Sequence, residues 1–183
     1  MKLNIGCNRH KLGGYVDADI VPFPEAEIVL DAAHIPFQNS QIEEIYAGHL
    51  LEHLKDPLGF FLECHRILKD DGLLVVVVPD PGKLPTDDPI IIGILFGFWF
   101  VNDYPDPDVP EAMHRTWWNA TLLHSVGCHL GFDFERTVHP WDDEHLVIGA
   151  NWHTGIVFRK AQLDPVIALG YSHYRRIIDE VIP

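Results

Sequence analysis

Short apolar segments separated by turn residues dominate the first half of the chain and predict a series of β-strands. The predicted strands are residues 2–5, 15–20, 27–30, 44–48 and 73–78. A helix is predicted from His49, restarted by Pro57 and continued to Lys69, with Asp71-Gly72 as its C-terminal turn. The last predicted strand, LLVVVV, is apolar at every position, which is typical of a central strand covered on both faces.

The second half of the chain has a less regular pattern. It predicts a helix over residues 116–126 that ends at Gly127, strands at 132–138 and 152–158, and a helix over 161–181 with Gly170 as a candidate break. Strands that alternate with helices, followed by two late strands, indicate an α/β fold with a mostly parallel sheet. The length of 183 residues suits one domain with a substantial core.

The charge balance narrows the classes of partner. Lys and Arg number 13 against 27 Asp and Glu, which gives a formal net charge of -14. Such a surface repels phosphate backbones and no basic patch stands out, so we expect no nucleic-acid partner. A small molecule is the expected substrate, with a protein as the alternative. Three cysteines without a CxxC pair, and no apolar leader, favour a reduced, cytoplasmic protein.

The run from Ile90 to Val101, IIIGILFGFWFV, is strongly apolar. Its 12 residues are too few to cross a bilayer, which takes about 20, so we expect no membrane span. We interpret the run as a lid helix over the substrate or as a self-association face. The second hypothesis predicts a homodimer.

Small and polar residues directly follow the predicted strands: Gly6-Cys7-Asn8, Asp19, Asp31 and His49. Ligands of parallel sheets bind beyond the carboxyl ends of the strands, so these residues are expected to share one site. A glycine after the first strand lets the backbone approach a ligand closely, and a carboxylate after the second can accept hydrogen bonds from ribose hydroxyls. The pattern therefore predicts a site for a nucleotide-type ligand.

Four segments within residues 2–80 carry a family resemblance: KLNIGCN, GYVDADI, LDAAHIPFQNSQIEEIYAGHLLEHL and LECHRILKDDGLLVVVVPD. Together they resemble the class I S-adenosylmethionine-dependent methyltransferases, above all the small bacterial, methyltransferase-11-like branch. Residues 114–132 also resemble the late helix of that family. The resemblance implies S-adenosyl-L-methionine as the cofactor and methyl transfer as the reaction. We expect no metal.

The same resemblance implies a Rossmann-like α/β fold. Its sheet is mostly parallel and seven-stranded, flanked by helices, with an antiparallel C-terminal strand pair. A single domain over residues 1–183 is expected, with the cofactor-binding half in 1–80. The substrate-side loops, the late helix and the last two strands are expected in 81–183.

Individual residues receive roles from the resemblance. The implied cofactor-binding residues are Gly6, Cys7, Asn8, Asp19, Ile20, Asp31, Ala32 and His49. Among them, Asp19 matches the residue that binds the ribose hydroxyls, and Asp31 with Ala32 matches the pair that recognises adenine. His49 matches the residue beside the methyl donor. Pro79 is expected near the substrate mouth.

Three features depart from the family pattern. Asn8 stands where the family usually has glycine. Only residues 7–14 separate the first two predicted strands, so the first helix is expected to be reduced to little more than a turn. The chain starts on its first strand, so we expect no N-terminal helical cap over the cofactor. These departures leave open a catalytically inactive cofactor-binding or scaffold protein on the same fold.

His49 is the candidate catalytic residue, because an imidazole beside the methyl donor could act as a base for a hydroxyl acceptor. On the predicted helix, His53 would share the face of His49; the alternative is that both are structural. A remote alternative is a zinc peptidase, since His49-Leu-Leu-Glu52-His53 spells H-x-x-E-H. Such a site would take its third ligand from Glu63 or Glu111.

Overall fold

The computed structural model describes residues 1–83, 114–138 and 153–172, whose strands form one seven-stranded sheet. The strands are β1 (Lys2–Ile5), β2 (Val16–Asp19), β3 (Ile28–Val29), β4 (Ile42–Gly48), β5 (Leu68–Pro79), β6 (Phe132–Val138) and β7 (His153–Lys160). The helices are α1 (Pro57–Ile67) and α2 (Ala120–His129), and a helical segment covers 165–172. Short 3-10 turns occupy Leu51–His53 and Pro81–Lys83.

The strands lie in the order β3-β2-β1-β4-β5-β7-β6. Neighbours from β3 to β5 are parallel, whereas β7 is antiparallel to both β5 and β6. The predicted mostly parallel sheet with an antiparallel C-terminal pair is therefore confirmed. The strand order reverses between β1 and β4, and at such a switch point ligands bind beyond the carboxyl ends of the strands.

Strand β5 is buried on both faces, as its run of valines predicts. Leu74 and Val76 join the larger apolar core, while Val75 and Val77 pack with Leu12 on the opposite face. Leu12 belongs to the connection between β1 and β2. This short loop therefore contributes to the apolar layer on that face of the sheet.

Helix α1 connects the two halves of the sheet. Asp56 caps its N-terminus, where Oδ1 accepts a hydrogen bond from the Gly59 amide at 2.9 Å. The ring of Phe61 lies 6.0 Å from that of Phe132 and 6.1 Å from that of Phe158, measured between centroids. These edge-on aromatic contacts join the helix to the antiparallel strands β6 and β7.

The predicted helix end at Lys69 is wrong: α1 ends at Ile67 and β5 follows at once. Between two of its pairs with β4, β5 contains extra residues that form a bulge. Asp71 lies in this bulge with a φ of 61°. Asp71-Gly72 therefore turns the chain within a strand and does not end a helix.

The predicted helix start at His49 is also wrong. His49 has a φ of 54°, in the left-handed region, and a right-handed helix cannot pass through it. A single 3-10 turn follows over Leu51–His53, and α1 begins only at Pro57. His49 and His53 therefore do not share the face of one helix.

The later elements lie close to their predicted positions. Strand β6 has the predicted bounds, β7 and α2 are displaced by a few residues, and the helical segment over 165–172 includes Gly170. The run from Ile90 to Val101, on which the lid and homodimer hypotheses depend, lies outside the described residues. In the described parts of the chain, no helix has the length and apolar character that a membrane crossing requires.

A buried polar pair holds the connection between β1 and β2. Asn4 and Asp17 are register partners, and they are 5% and 1% exposed. Oδ1 of Asp17 accepts hydrogen bonds from Nδ2 of Asn4 at 2.8 Å and from the Leu12 amide at 3.1 Å. Residues 6–15 contain no helix, which confirms the predicted reduction of the first crossover. The carboxylate thus satisfies a loop amide that has no helical partner.

Replacing Asp17 with alanine should destabilise the protein, because it leaves the Leu12 amide and the Asn4 side chain without their buried acceptor. We expect the free energy of unfolding, measured by urea denaturation, to fall by about 1–3 kcal/mol. Asp133→Ala, which removes an exposed carboxylate from β6, is the matched control and should change it by less than about 0.5 kcal/mol. Equal effects of the two substitutions would contradict the structural role of Asp17.

Candidate functional site

The loop after β1 turns sharply at the switch point. Gly6 and Asn8 have φ angles of 76° and 49°, both in the left-handed region. A Cβ on Gly6 would lie 3.0 Å from Cδ1 of Leu50, which follows β4, so the position is suited to glycine on both counts. Asparagine tolerates the left-handed conformation better than most residues. The turn therefore forms with Asn8 in place of the usual glycine.

Asp19, at the end of β2, reaches across to this loop. Its Oδ2 accepts a hydrogen bond from the Asn8 amide at 2.8 Å, and its Oδ1 accepts one from the Val21 amide at 2.9 Å. The residue is 8% exposed, whereas Ile20 beside it is 50% exposed. Because an ionised carboxylate oxygen has two lone pairs, each oxygen of Asp19 retains capacity for another donor.

Asp31 follows β3 at the same edge of the sheet and faces solvent. Its side chain is 52% exposed, and Oδ1 accepts a hydrogen bond from the Ala33 amide at 2.8 Å. Ala32 is buried, at 6% exposed. The strands bring Asp31 and Asp19 to one edge because β2 and β3 are parallel, with Asp19 paired to Val29.

The zinc-peptidase hypothesis uses Glu63 as a candidate third ligand beside His49 and His53. In the structure Glu63 instead contacts Arg66 and the loop after Asp31. Its Oε2 lies 2.7 Å from Nη2 of Arg66, and it accepts a hydrogen bond from the Ile35 amide at 3.3 Å. Burial raises the pKa of Glu63, but the hydrogen bond and charge of Arg66, together with the Ile35 amide, hold that pKa below its ordinary value. Glu63 is therefore committed to anchoring the loop after Asp31. Glu111 lies outside the described residues.

Cys7 is a packing residue within the first loop. Its side chain is 3% exposed. Burial raises the pKa of the thiol to about 12, and the neighbouring carboxylates of Asp19 and Asp17 act in the same direction. The thiol is thus protonated at neutral pH and unsuited to nucleophilic chemistry.

His49 lies where β4 and β5 end. Its backbone amide donates to the Val77 carbonyl at 2.8 Å, and its Nδ1 lies 3.3 Å from Oε1 of Glu52. The His49 and His153 rings meet edge-on, with their centroids 4.5 Å apart. His153 begins β7 and pairs in register with Pro79. The carboxyl end of β5 therefore carries two imidazoles close to one buried carboxylate.

Glu52 is that carboxylate, and it is 1% exposed. Nε2 of His53 lies 3.9 Å from its Oε1. Burial raises the pKa of Glu52, but the contacts with His49 and His53 outweigh burial and keep the carboxyl pKa below its ordinary value. Glu52 is therefore ionised at neutral pH.

A distant segment docks on the turn that holds Glu52. The Glu52 carbonyl accepts hydrogen bonds from the Arg115 amide at 2.7 Å and from the Thr116 amide at 3.2 Å. His114 precedes these residues, and its ring centroid lies 4.7 Å from that of His53. His114 and His153 were not predicted as site residues. They come from distant parts of the chain, and no motif spacing links them to His49 or His53.

A glycine turn after β1, a carboxylate after β2 and the order β3-β2-β1-β4-β5-β7-β6 together define the class I methyltransferase fold. Residues 16–76 match the family described as Methyltransferase domain. The predicted fold is confirmed, and the match over residues 16–76 bears out the predicted resemblance to this family, which implies S-adenosylmethionine as the cosubstrate.

Three comparisons illustrate the relationship. A chain in the complex between the Haloferax volcanii Trm112 methyltransferase activator and a methyltransferase has a TM-score of 0.61 at 12% identity, covering 89% of this chain and 82% of that chain. The "Probable S-adenosylmethionine-dependent methyltransferase" of Mycobacterium tuberculosis is 31% identical over 74 residues, which are 37% of this chain and 26% of the relative. A highly reducing polyketide synthase of Aspergillus nomiae is 23% identical over 150 residues, 82% of this chain.

The chain spans only part of the curated relatives that it matches. It covers 6% of the polyketide synthase and 26% of the mycobacterial protein.

The buried position of His153 predicts a pH-dependent stability. The residue is 3% exposed, and burial, followed by the neighbouring His49, lowers its pKa to about 4. An unfolded histidine titrates near pH 6.5, so as the pH falls the unfolded chain takes up this proton first. The stability that neutral His153 contributes is complete above about pH 6.5 and is lost as the pH falls towards about 4.

His153→Gln should therefore reduce the loss of unfolding free energy between about pH 7 and about pH 5 by about 2 kcal/mol. Urea denaturation at a series of pH values, with a chelator present, measures this loss. His129→Gln, at an exposed histidine, should leave it unchanged. The same pH dependence in wild type and His153→Gln would exclude a buried neutral His153.

Proposed function

We propose that the chain is an S-adenosylmethionine-dependent methyltransferase that binds its cofactor across the carboxyl ends of β1, β2, β3 and β4. The observation that carries the proposal is the bond between Asp19 Oδ2 and the Asn8 amide, at 2.8 Å. This bond holds the carboxylate after β2 against the glycine turn after β1. A ribose and the methionine part of one ligand would need these two features side by side.

The neighbouring residues fit the remaining parts of the adenosine. Asp19 has unused lone pairs for the ribose hydroxyls, and the exposed Ile20 offers an apolar surface to the adenine ring. Asp31, whose side chain is 52% exposed, can accept a hydrogen bond from the exocyclic amine. The backbone of the turn at Gly6 would contact the methionine part. Residues 1–80 would thus supply the cofactor half of a single domain.

His49 is the proposed base for a hydroxyl acceptor. A sulfonium is an activated methyl donor, so the protein mainly has to align the acceptor, the methyl carbon and the leaving sulfur. His49 follows β4 at the switch point, and the Glu52 carboxylate lies 3.3 Å from its Nδ1. This contact favours the tautomer with the proton on Nδ1 and leaves the lone pair on Nε2. Glu52 would then act as a positioning residue.

The acceptor is proposed to be a small molecule, with a protein as the alternative. A formal net charge of -14 disfavours nucleic acid. The unpaired cysteines fit a cytoplasmic location.

A scaffold function on the same fold is the second candidate. Both oxygens of Asp19 already accept backbone hydrogen bonds, at 2.8 and 2.9 Å, so a purely structural role would also explain its burial. Binding of the cofactor product separates the two hypotheses, because a scaffold with a lost site would not bind it.

We expect S-adenosylhomocysteine to bind the full chain at one site in isothermal titration calorimetry. Asp31→Ala should weaken this binding by about 1–3 kcal/mol, because it removes a charged acceptor for the adenine amine. Asp133→Ala, on the distant strand β6, is the control and should bind normally. The absence of heat at millimolar ligand would favour the scaffold hypothesis instead.

Release of S-adenosylhomocysteine in the presence of fractionated metabolite extracts can identify the acceptor. With that acceptor, His49→Asn should lower turnover by roughly 10²–10⁴-fold, as expected for loss of a general base. Asparagine suits this position because it tolerates the left-handed backbone of His49. Turnover within a few-fold of wild type would show that His49 is not the base.

A further inference from the structure

We propose that Glu52, His53 and His114 bind a divalent transition-metal ion, and that zinc is the ion which this ligand set suits best. No metal is expected from the sequence, except in the peptidase alternative, which joins His49 and His53 with a different third ligand. The proposal does not depend on methyl transfer, because the metal is measured without cofactor.

The three side chains already converge. One ligand atom from each lies within 4.8 Å of the others. Ligands about 2.0–2.1 Å from one zinc ion lie roughly 3.3 Å apart, so small torsional changes would close the site. The rings of His53 and His114 meet edge-on, with centroids 4.7 Å apart, and one ligand nitrogen of each ring lies within 4.8 Å of the other.

The buried negative charge of Glu52 needs hydrogen bonds or a positive charge beside it, and the described residues supply these only in part. The residue is 1% exposed, and apart from the 3.3 Å approach of His49 neither oxygen has a hydrogen-bond partner among the described residues. Nδ1 of His53 is likewise buried without a partner in that part of the chain. A buried carboxylate is costly unless it is paired or coordinates a metal. A cation bound between Glu52 and His53 would supply the compensation that the carboxylate lacks.

The backbone holds the ligands in place. Glu52 and His53 lie in the 3-10 turn Leu51–His53, and the Glu52 carbonyl accepts the Arg115 amide at 2.7 Å. Arg115 is the neighbour of His114 in sequence. The hydrogen bond to the Glu52 carbonyl therefore holds His114 close to Glu52. His53 is 25% exposed at its side chain, which leaves a path from solvent.

The donor atoms select the class of ion. Two imidazole nitrogens and one carboxylate oxygen suit zinc and other first-row divalent ions, whereas magnesium and calcium prefer oxygen ligands throughout. Three protein ligands leave a position for water or an acceptor oxygen. Because Glu52 also lies beside His49, that position would be close to the proposed methyl-transfer site.

The test is zinc binding to the full chain after removal of metals with a chelator. We expect one equivalent by elemental analysis, and X-ray absorption at the zinc edge should show nitrogen and oxygen ligands at about 2.0–2.1 Å with imidazole scattering. His114→Ala and His53→Ala should each weaken binding by more than roughly 10-fold, since outer-sphere partners alone are worth about 10–100-fold. An excess of magnesium should not displace the zinc.

The exposed pair His124 and Cys128 provides a matched control. Cys128 Sγ lies 3.8 Å from His124 Nε2, so adventitious surface binding of zinc would involve this pair. His124→Ala should bind zinc as the wild type does. Substoichiometric zinc, a zinc–sulfur distance of about 2.3 Å, unchanged binding in His114→Ala, or loss of binding in His124→Ala would each overturn the proposal. The zinc-edge X-ray absorption spectrum of the wild type distinguishes nitrogen and oxygen ligands from sulfur ligands even if a variant fails to fold.

Discussion

Two carboxylates on β2 hold the connection between β1 and β2, and the site depends on this constraint. Asp17 accepts the Leu12 amide on one side of the strand, and Asp19 accepts the Asn8 amide beyond its end. A longer crossover would use a helix to satisfy its own amides and to cover the sheet. Here the side chains of Asp17 and Asp19 on β2 accept the loop amides, and Leu12 helps to cover the sheet. The loop is therefore ordered without a helix.

This solution has consequences for ligand binding. Without a first helix there is no helix N-terminus to attract the carboxylate of a cofactor, so the loop contributes only its backbone and the glycine turn. Asp19 combines two tasks, because the carboxylate that orders the loop is also the one placed for a ribose. Asp31 is exposed and accepts only a local hydrogen bond, from the Ala33 amide two residues away. The proposed cofactor recognition would thus be coupled to loop stability more strongly at Asp19 than at Asp31.

On the other side of the switch point, the buried residue Glu52 contacts both His49 and the segment after His114. Glu52 lies next to His49 through its side chain and anchors the segment after His114 through its carbonyl. The positive φ of His49 ends the path of β4 and directs the chain into the turn that buries Glu52. A single tight turn therefore determines both the orientation of the candidate base and the approach of distant imidazoles.

The sequence by itself determined the strands, the parallel half of the sheet and the series of residues that follow the strands. Those features depend on local patterns, namely apolar runs and the residues that end them. The bulge at Asp71, the break in helical geometry at His49 and the early end of α1 depended on strand pairing, which local propensity does not encode. Only the tertiary structure brought His114 and His153 to Glu52, because residues separated widely in sequence carry no periodic signal of their contact.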